Sequence, residues 1–293
     1  MDNLSGESQQ FGRKEIIKYR ENRENIIQSV EIDLTEIPDQ SRQNIESKIT
    51  YLKHINTEHK KIFKFEGANK LVYKTEILLP KVNKNRLNVL MVFGNPAVHS
   101  IVEGMFFSYQ RTRTEGKWRE HRFWTALRDC EVLKFKRNTE NPTPQNIKKI
   151  NDYKRDCLLS GKYQSDFNIF LLPYFSFPTP ASGEYSGVNG IVKIVGKHIF
   201  ARMKECEFRR FEMIILYNDI KNIICFQKSA LKEIKRTKCT QISNVLHNPV
   251  YKIDDALKYV TLYTAEPTRS LYTNKAKNIL KGILSDIKKN RIG

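Results

Sequence analysis

Long apolar runs are missing from this 293-residue chain. Leu87–Phe93 and Met213–Tyr217 are typical of its hydrophobic stretches, far short of the ~20 residues that a membrane-crossing helix needs. Cysteine is sparse: Cys130, Cys157, Cys206, Cys225 and Cys239 make five, an odd number, and no two stand at C-x-x-C spacing. That argues against a disulfide framework and against a thiolate-held zinc or iron–sulfur centre, and the thiols read as reduced. No internal repeat and no low-complexity tract interrupts the chain. Met1–Gln10 is acidic and polar, without the basic and apolar regions of a secretory signal. The expectation is a soluble, cytoplasmic protein with no metal and no cofactor.

What is abundant is positive charge. Lys and Arg number 51 against 32 Asp and Glu, a net of +19. The excess is uneven, since residues 1–60 hold 9 basic against 11 acidic residues and residues 221–293 hold 15 against 5. A surface this basic binds polyanions unless something masks it, although lysine-rich solubility charge alone would give the same count. With 40% hydrophobic and 28% charged residues the composition is that of a globular protein rather than a disordered one.

Apolar residues between positions 13 and 60 (Ile16, Ile17, Tyr19; Ile26, Ile27, Val30; Ile45, Ile49, Leu52, Ile55) fall at helical spacings, which predicts a helical N-terminal extension over 1–60. Ile62–Phe65 and Leu71–Leu78 read as strands around a turn at Gly67–Asn69. From Leu87 onward short apolar runs alternate with helical patterns. Leu87–Phe93, Phe167–Leu172 and Lys258–Tyr263 read as strands, and so does at least one of Met213–Tyr217 and Asn222–Phe226. Glu120–Cys130, Ile191–Cys206 and Thr273–Lys289 read as helices. This alternation predicts an α/β domain over 61–293, three layers deep in α/β/α order, around a short and mainly parallel sheet. Sites in such sheets lie beyond the carboxyl ends of the strands. That singles out Gly94–Ser100, Ala265–Ser270 and the Pro-, Gly- and aromatic-rich loop Phe177–Ser186.

Phe93-Gly-Asn-Pro-Ala-Val-His-Ser-Ile-Val-Glu-Gly-Met-Phe-Phe-Ser108, followed by Arg119-Glu-His-Arg-Phe-Trp-Thr-Ala-Leu127, resembles the uracil-DNA glycosylase superfamily, most closely its mismatch-specific uracil/thymine branch. There a strand ends in a Gly…Asn-Pro loop, a Gly…Phe segment follows, and an Arg-Phe-Trp…Leu helix comes next. Ala265-Glu-Pro-Thr-Arg-Ser-Leu271 stands where the superfamily has its second motif. The likeness spans roughly Leu87–Ile287, with specific residues only in its first part, and residues 1–80 have no counterpart. It implies a monofunctional glycosylase that flips a deaminated or damaged base out of DNA and hydrolyses its N-glycosidic bond in base excision repair. DNA is then the partner, with no membrane, a monomeric state and an N-terminal region free to meet another protein. The alternative is a catalytically inactive DNA-binding module of the same fold.

Hydrolysis of this bond needs a base held between apolar walls, a water under the anomeric carbon and relief of the leaving charge. Asn95 can orient water through its side-chain carbonyl, the role the resemblance assigns to it, though Asn-Pro also opens ordinary turns. Gly94 would permit close approach and Pro96 would stiffen the loop. Phe107 matches the base-stacking position, with core packing as its other reading. The resemblance places an Asn that reads uracil after the second strand, where this chain has Leu171-Leu-Pro-Tyr-Phe175. Tyr174 and Phe175, with Phe177, would then form the pocket wall. Glu266 replaces the His or Asn that helps the leaving base, and is read as neutral, turned away or accepting hydrogen bonds from a particular base. Thr268 and Ser270 would reach phosphate, and Arg122 would brace the loop or touch phosphate. Arg269 and Leu271 would fill the gap a flipped base leaves. His99 and His121 read as solvated or satisfied side chains rather than as catalytic groups.

Overall fold

The computed structural model of the chain describes residues 15–20, 25–111, 118–136, 142–143, 145–236, 239–253, 257 and 259–290. The first described elements are strands. β1 (Ile17–Arg20) and β2 (Ile27–Asp33) pair antiparallel. They precede α1 (Asp39–Ile55), α2 (Glu58–Ile62), β3 (Phe63–Phe65) and β4 (Lys70–Glu76). The four strands form one sheet in the order β1-β2-β4-β3. The helical reading therefore holds for residues 39–55 and fails at β1 and β2, while residues 21–24 lie outside the described residues. Adjacent β-branched residues favour extended backbone. Seven β2 residues also find register with β4, from Ile27 opposite Glu76 to Asp33 opposite Lys70. This pairing crosses the expected boundary at residue 60. Residues 1–14, also read as extension, lie outside the described residues.

The larger sheet starts with β5 (Leu87–Phe93), which leads into α3 (Val98–Glu103). The two-residue strands β6 (Gln110–Arg111) and β7 (Trp118–Arg119) follow, then α4 (Arg122–Asp129) and α5 (Ile147–Ser160). After β8 (Phe167–Pro173) come α6 (Gly187–Val195) and α7 (Lys197–Tyr217). Gly196, with φ of 83°, separates these two where one helix was expected. Met213–Tyr217 is thus the last turn of α7 and not a strand. β9 (Asn222–Cys225), α8 (Lys228–Ile234), the hairpin β10 (Cys239–Val245) with β11 (Asn248–Ile253), β12 (Val260–Thr264) and α9 (Asn274–Lys289) complete the chain. The strand order is β10-β11-β12-β9-β5-β8, with β12, β9, β5 and β8 parallel and the hairpin antiparallel at one edge. The class is α/β, as the alternation predicts. Among the described residues no helix is long and apolar enough to cross a membrane.

Successive residues of β5 face opposite sides of the sheet, and both sides are covered, so the strand reads as an unbroken apolar run from Val89 to Phe93. Leu90 and Val92 join a core with Ile49 of α1, Ile191 of α6 and Met203 of α7. Val89 and Met91 join a second core with Leu127 of α4 and Ile283 of α9. Just past β4, Leu78 bridges antiparallel to Leu171 of β8, which ties the small sheet to the edge of the large one. Glu76, two residues before Leu78, ends β4.

Candidate functional site

The loops leaving β5, β8, β9 and β12 are bound to one another through their backbones. Tyr174 N–H donates to the Phe93 carbonyl at 3.0 Å and Phe175 N–H to that of Gly94 at 2.9 Å. Thr179 N–H reaches the Pro96 carbonyl at 3.1 Å, and Val98 N–H returns to the Thr179 carbonyl at 3.2 Å. On the other flank, Phe226 N–H donates to Val92 at 2.9 Å and Ala265 N–H to Cys225 at 3.0 Å. Segments distant in the chain thus converge at one edge of the sheet. Between them is a cavity of about 250 Å³, lined among others by Asn95, Phe107 and Thr268. That is slightly below the ~300–1,000 Å³ of pockets for drug-sized ligands. Hollows of about 570 Å³ beside α7 and β1 and about 450 Å³ between α7 and α8 are larger. Neither lies at the carboxyl ends of the parallel strands, where the chemistry-bearing loops meet.

Asn95 is held by its nitrogen. Nδ2 donates to the Thr179 hydroxyl at 2.8 Å and to the Pro96 carbonyl at 3.2 Å. A carbonyl only accepts, so the amide orientation is fixed and Oδ1 is left as the acceptor. Gly94 lies close to a neighbour: a Cβ there would meet Gln227 Cγ at 3.0 Å, so the Gln227 side chain would have to shift. Pro96 is buried behind the loop and supplies the carbonyl that binds Asn95 and Thr179.

Phe107 has left-handed backbone, with φ of 48°, unusual for a bulky residue. The indole N–H of Trp124 donates to the carbonyls of Phe106 at 2.9 Å and Phe107 at 3.2 Å, which pins the strained turn. The Phe107 ring stacks on His121 with centroids 4.6 Å apart and meets Phe93 edge-on at 4.8 Å. Phe106 and Phe123 beside it are core.

Compared with known protein families and with characterised proteins, the chain matches none. The site is therefore judged on its own geometry.

Four sequence expectations are corrected. Tyr174 and Phe175 are each 1% exposed and do not line the cavity, and Phe177 is equally buried. The backbone bonds to Phe93 and Gly94 fix the segment after β8, and all three side chains enter the core that holds Phe211 of α7. Pro173 and Ala181 serve as wall instead. Leu271 is 1% exposed and packed with α9, so it cannot fill a vacated base stack. Its neighbour Tyr272 is 64% exposed. Glu266 is half-buried and does not line the cavity. Arg122, exposed at the start of α4, donates to the Arg269 carbonyl at 3.0 Å and lies over the Tyr272 ring at 4.6 Å. Arg269 is exposed, and Ser270 closes a turn through its carbonyl to the Thr273 N–H and hydroxyl.

The cavity is also lined by Glu76 and Gln227, which the sequence reading passed over, and by His99 and His121, which it set aside as solvated or satisfied. His121 caps α4, its Nδ1 accepting from Phe123 N–H at 3.2 Å, so the ring proton is on Nε2. Burial, then the neighbouring His99 and Arg122, push its pKa down to about 4. Burial also lowers that of His99, against a smaller opposing pull from Glu58. Both imidazoles are neutral at pH 7. Their position within or just after the motif was a usable signal. Glu76 had a subtler one, a carboxylate leading into the apolar run Ile77-Leu-Leu-Pro80.

Proposed function

We propose that the chain is a metal-free, monofunctional DNA glycosylase that takes a deaminated or damaged base into this cavity and hydrolyses its N-glycosidic bond. The observation that carries the reading is the meeting of Asn95, Phe107 and Thr268, from two loops far apart in sequence, around one cavity of nucleobase scale. Phe107 supplies the stacking platform, Asn95 Oδ1 accepts from the attacking water, and His121 Nε2–H faces the leaving base as a neutral donor. Thr268 offers its hydroxyl to the flanking phosphate, and exposed Arg269 and Tyr272 stand where a vacated stack would be filled. The overall architecture on this reading is a three-layer α/β/α domain, supported by the two separate cores on the faces of β5. Net charge of +19 provides the attraction to DNA. The working form is a cytoplasmic monomer.

The test is direct. Purified protein is incubated with duplex and single-stranded oligonucleotides carrying uracil, hypoxanthine or thymine opposite guanine, and alkali then reveals abasic sites as strand breaks. Breaks at a modified base support the glycosylase. Binding without breaks on any substrate leaves the inactive DNA-binding module, and absence of both removes the reading.

A further inference from the structure

Glu76 is the one cavity-lining residue contributed by the small N-terminal sheet, which has no counterpart in the resembled superfamily. It is 4% exposed, and its Oε2 is buried without a hydrogen-bond partner. Leaving a buried polar group unpaired is costly, so such an atom calls for an explanation. Ile27 on β2 pairs with Glu76, and Pro173 at the end of β8 shares the cavity lining, neither of them charged. The Arg210–Glu207 ion pair lies behind Pro173, with the guanidinium donating to the Pro173 carbonyl at 2.7 Å, and does not line the cavity. Among the described residues no lysine, arginine or second carboxylate shares the lining, and the titratable groups there are the two imidazoles. Burial alone drives the Glu76 pKa well above the ordinary carboxylate range.

Resting on the glycosylase reading, we infer that Glu76 reads the extruded base: its carboxyl, an O–H beside a carbonyl, hydrogen-bonds an edge that carries a ring N–H next to an oxo group. The rest of the lining favours such oxo bases. His121 Nε2–H is a further donor, whereas Asn95 Oδ1 is reserved for water. The same contact serves the chemistry. As the C1′–N bond breaks, its electron pair passes into the base and onto the oxo oxygen, and the Glu76 O–H gives up its proton there. Water adds through its oxygen to C1′ and releases a proton to solvent, from which the carboxylate is reprotonated. The sum is hydrolysis.

Glu76→Gln keeps shape, donor and acceptor but has no proton to transfer, and Glu76→Met keeps only volume. Affinity is measured by anisotropy for a duplex carrying uncleavable 2′-fluoro-deoxyuridine and for the same duplex with an abasic analogue. The difference between them reports the base contact, and single-turnover base release from deoxyuridine is followed in parallel. Wild type gains affinity from the base, Glu76→Gln retains that gain within about threefold, and Glu76→Met loses about tenfold or more. Base release slows in both variants, so binding is rescued by Gln and turnover is not. Wild-type affinity gain and release in Glu76→Met overturn the assignment, as does a wild type that gains nothing from the base. A wild type that gains affinity from the base but never releases it sinks the glycosylase reading and leaves Glu76 as a base reader. Release that is indifferent to both variants does the reverse.

Discussion

The side-chain nitrogen of Asn95 donates a 2.8 Å hydrogen bond to the hydroxyl of Thr179, and this contact decides which end of the amide faces the cavity. Thr179 belongs to the loop after β8, Asn95 to the loop after β5. Asn95→Ala is expected to lower base release by ~10²–10³-fold, the scale on which positioning and preorganised polar groups act, while DNA binding stays within a few-fold. Thr179→Val should slow release less, about tenfold, by freeing the amide to turn. It also strands the Gly187 N–H that now donates to the same hydroxyl at 2.9 Å, a loss of about 1–3 kcal/mol readable by urea unfolding.

Phe107 combines a strained backbone with a half-buried ring. Removing the ring by Phe107→Ala should weaken binding of an extruded base by about 1–3 kcal/mol, the usual scale of base–aromatic stacking. Phe107→Gly should lose the same contact but gain relief of the left-handed backbone, so it should melt above the Ala variant. Equal Tm for the two would show that the turn is not strained by its side chain. Calorimetric melting and binding to a base-bearing duplex report the two effects separately.

The two kinds of buried titratable group predict opposite limbs in the stability–pH curve. His121 has its folded pKa depressed to about 4 from 6.5. The stability of its neutral form is present above pH 6.5 and is lost as pH falls toward 4, because the unfolded chain takes up the proton first. Glu76 has its folded pKa raised from 4.5, so stability is complete below pH 4.5 and declines as pH rises above it. Tm measured from pH 4 to 8 should therefore rise more steeply in Glu76→Gln than in wild type, with the variant the more stable at pH 8. A variant that melts below wild type at pH 8 would mean that Glu76 has a partner in solution.

Binding of duplex DNA should fall with salt, with a log–log slope of about 0.9 per phosphate neutralised. Arg269→Ala should reduce that slope by about one without changing base preference. Arg122→Ala should do more, since it also removes the prop under the Arg269 carbonyl and the cation over Tyr272. A salt-independent affinity would detach the charge from DNA altogether.

Much of the site was legible in advance because its parts are local. β5 is apolar from Val89 to Phe93 and bounded by Gly94-Asn95-Pro96, and α9 shows one apolar stripe behind Thr273, which caps it. The misreadings arose where pairing between distant segments decides. Ile27 and Val30 fall at a helical spacing, and only β4, which they pair with, selects the strand. Tyr174 and Phe175 look like a pocket wall until the backbone bonds to Phe93 and Gly94 turn them inward. Glu76 is invisible to periodicity altogether, because what marks it is the lack of a partner.

The central claim is that Asn95 steers water to the sugar of a base held beside Phe107. Single-turnover reaction of a uracil- or hypoxanthine-bearing duplex in ¹⁸O-labelled water, read by mass spectrometry, tests it most directly. Free base should appear with one ¹⁸O at the anomeric carbon of the abasic product, and both signals should drop ~10²-fold or more in Asn95→Ala. Base release that proceeds undiminished without the Asn95 amide, or no release from any modified duplex, would contradict it.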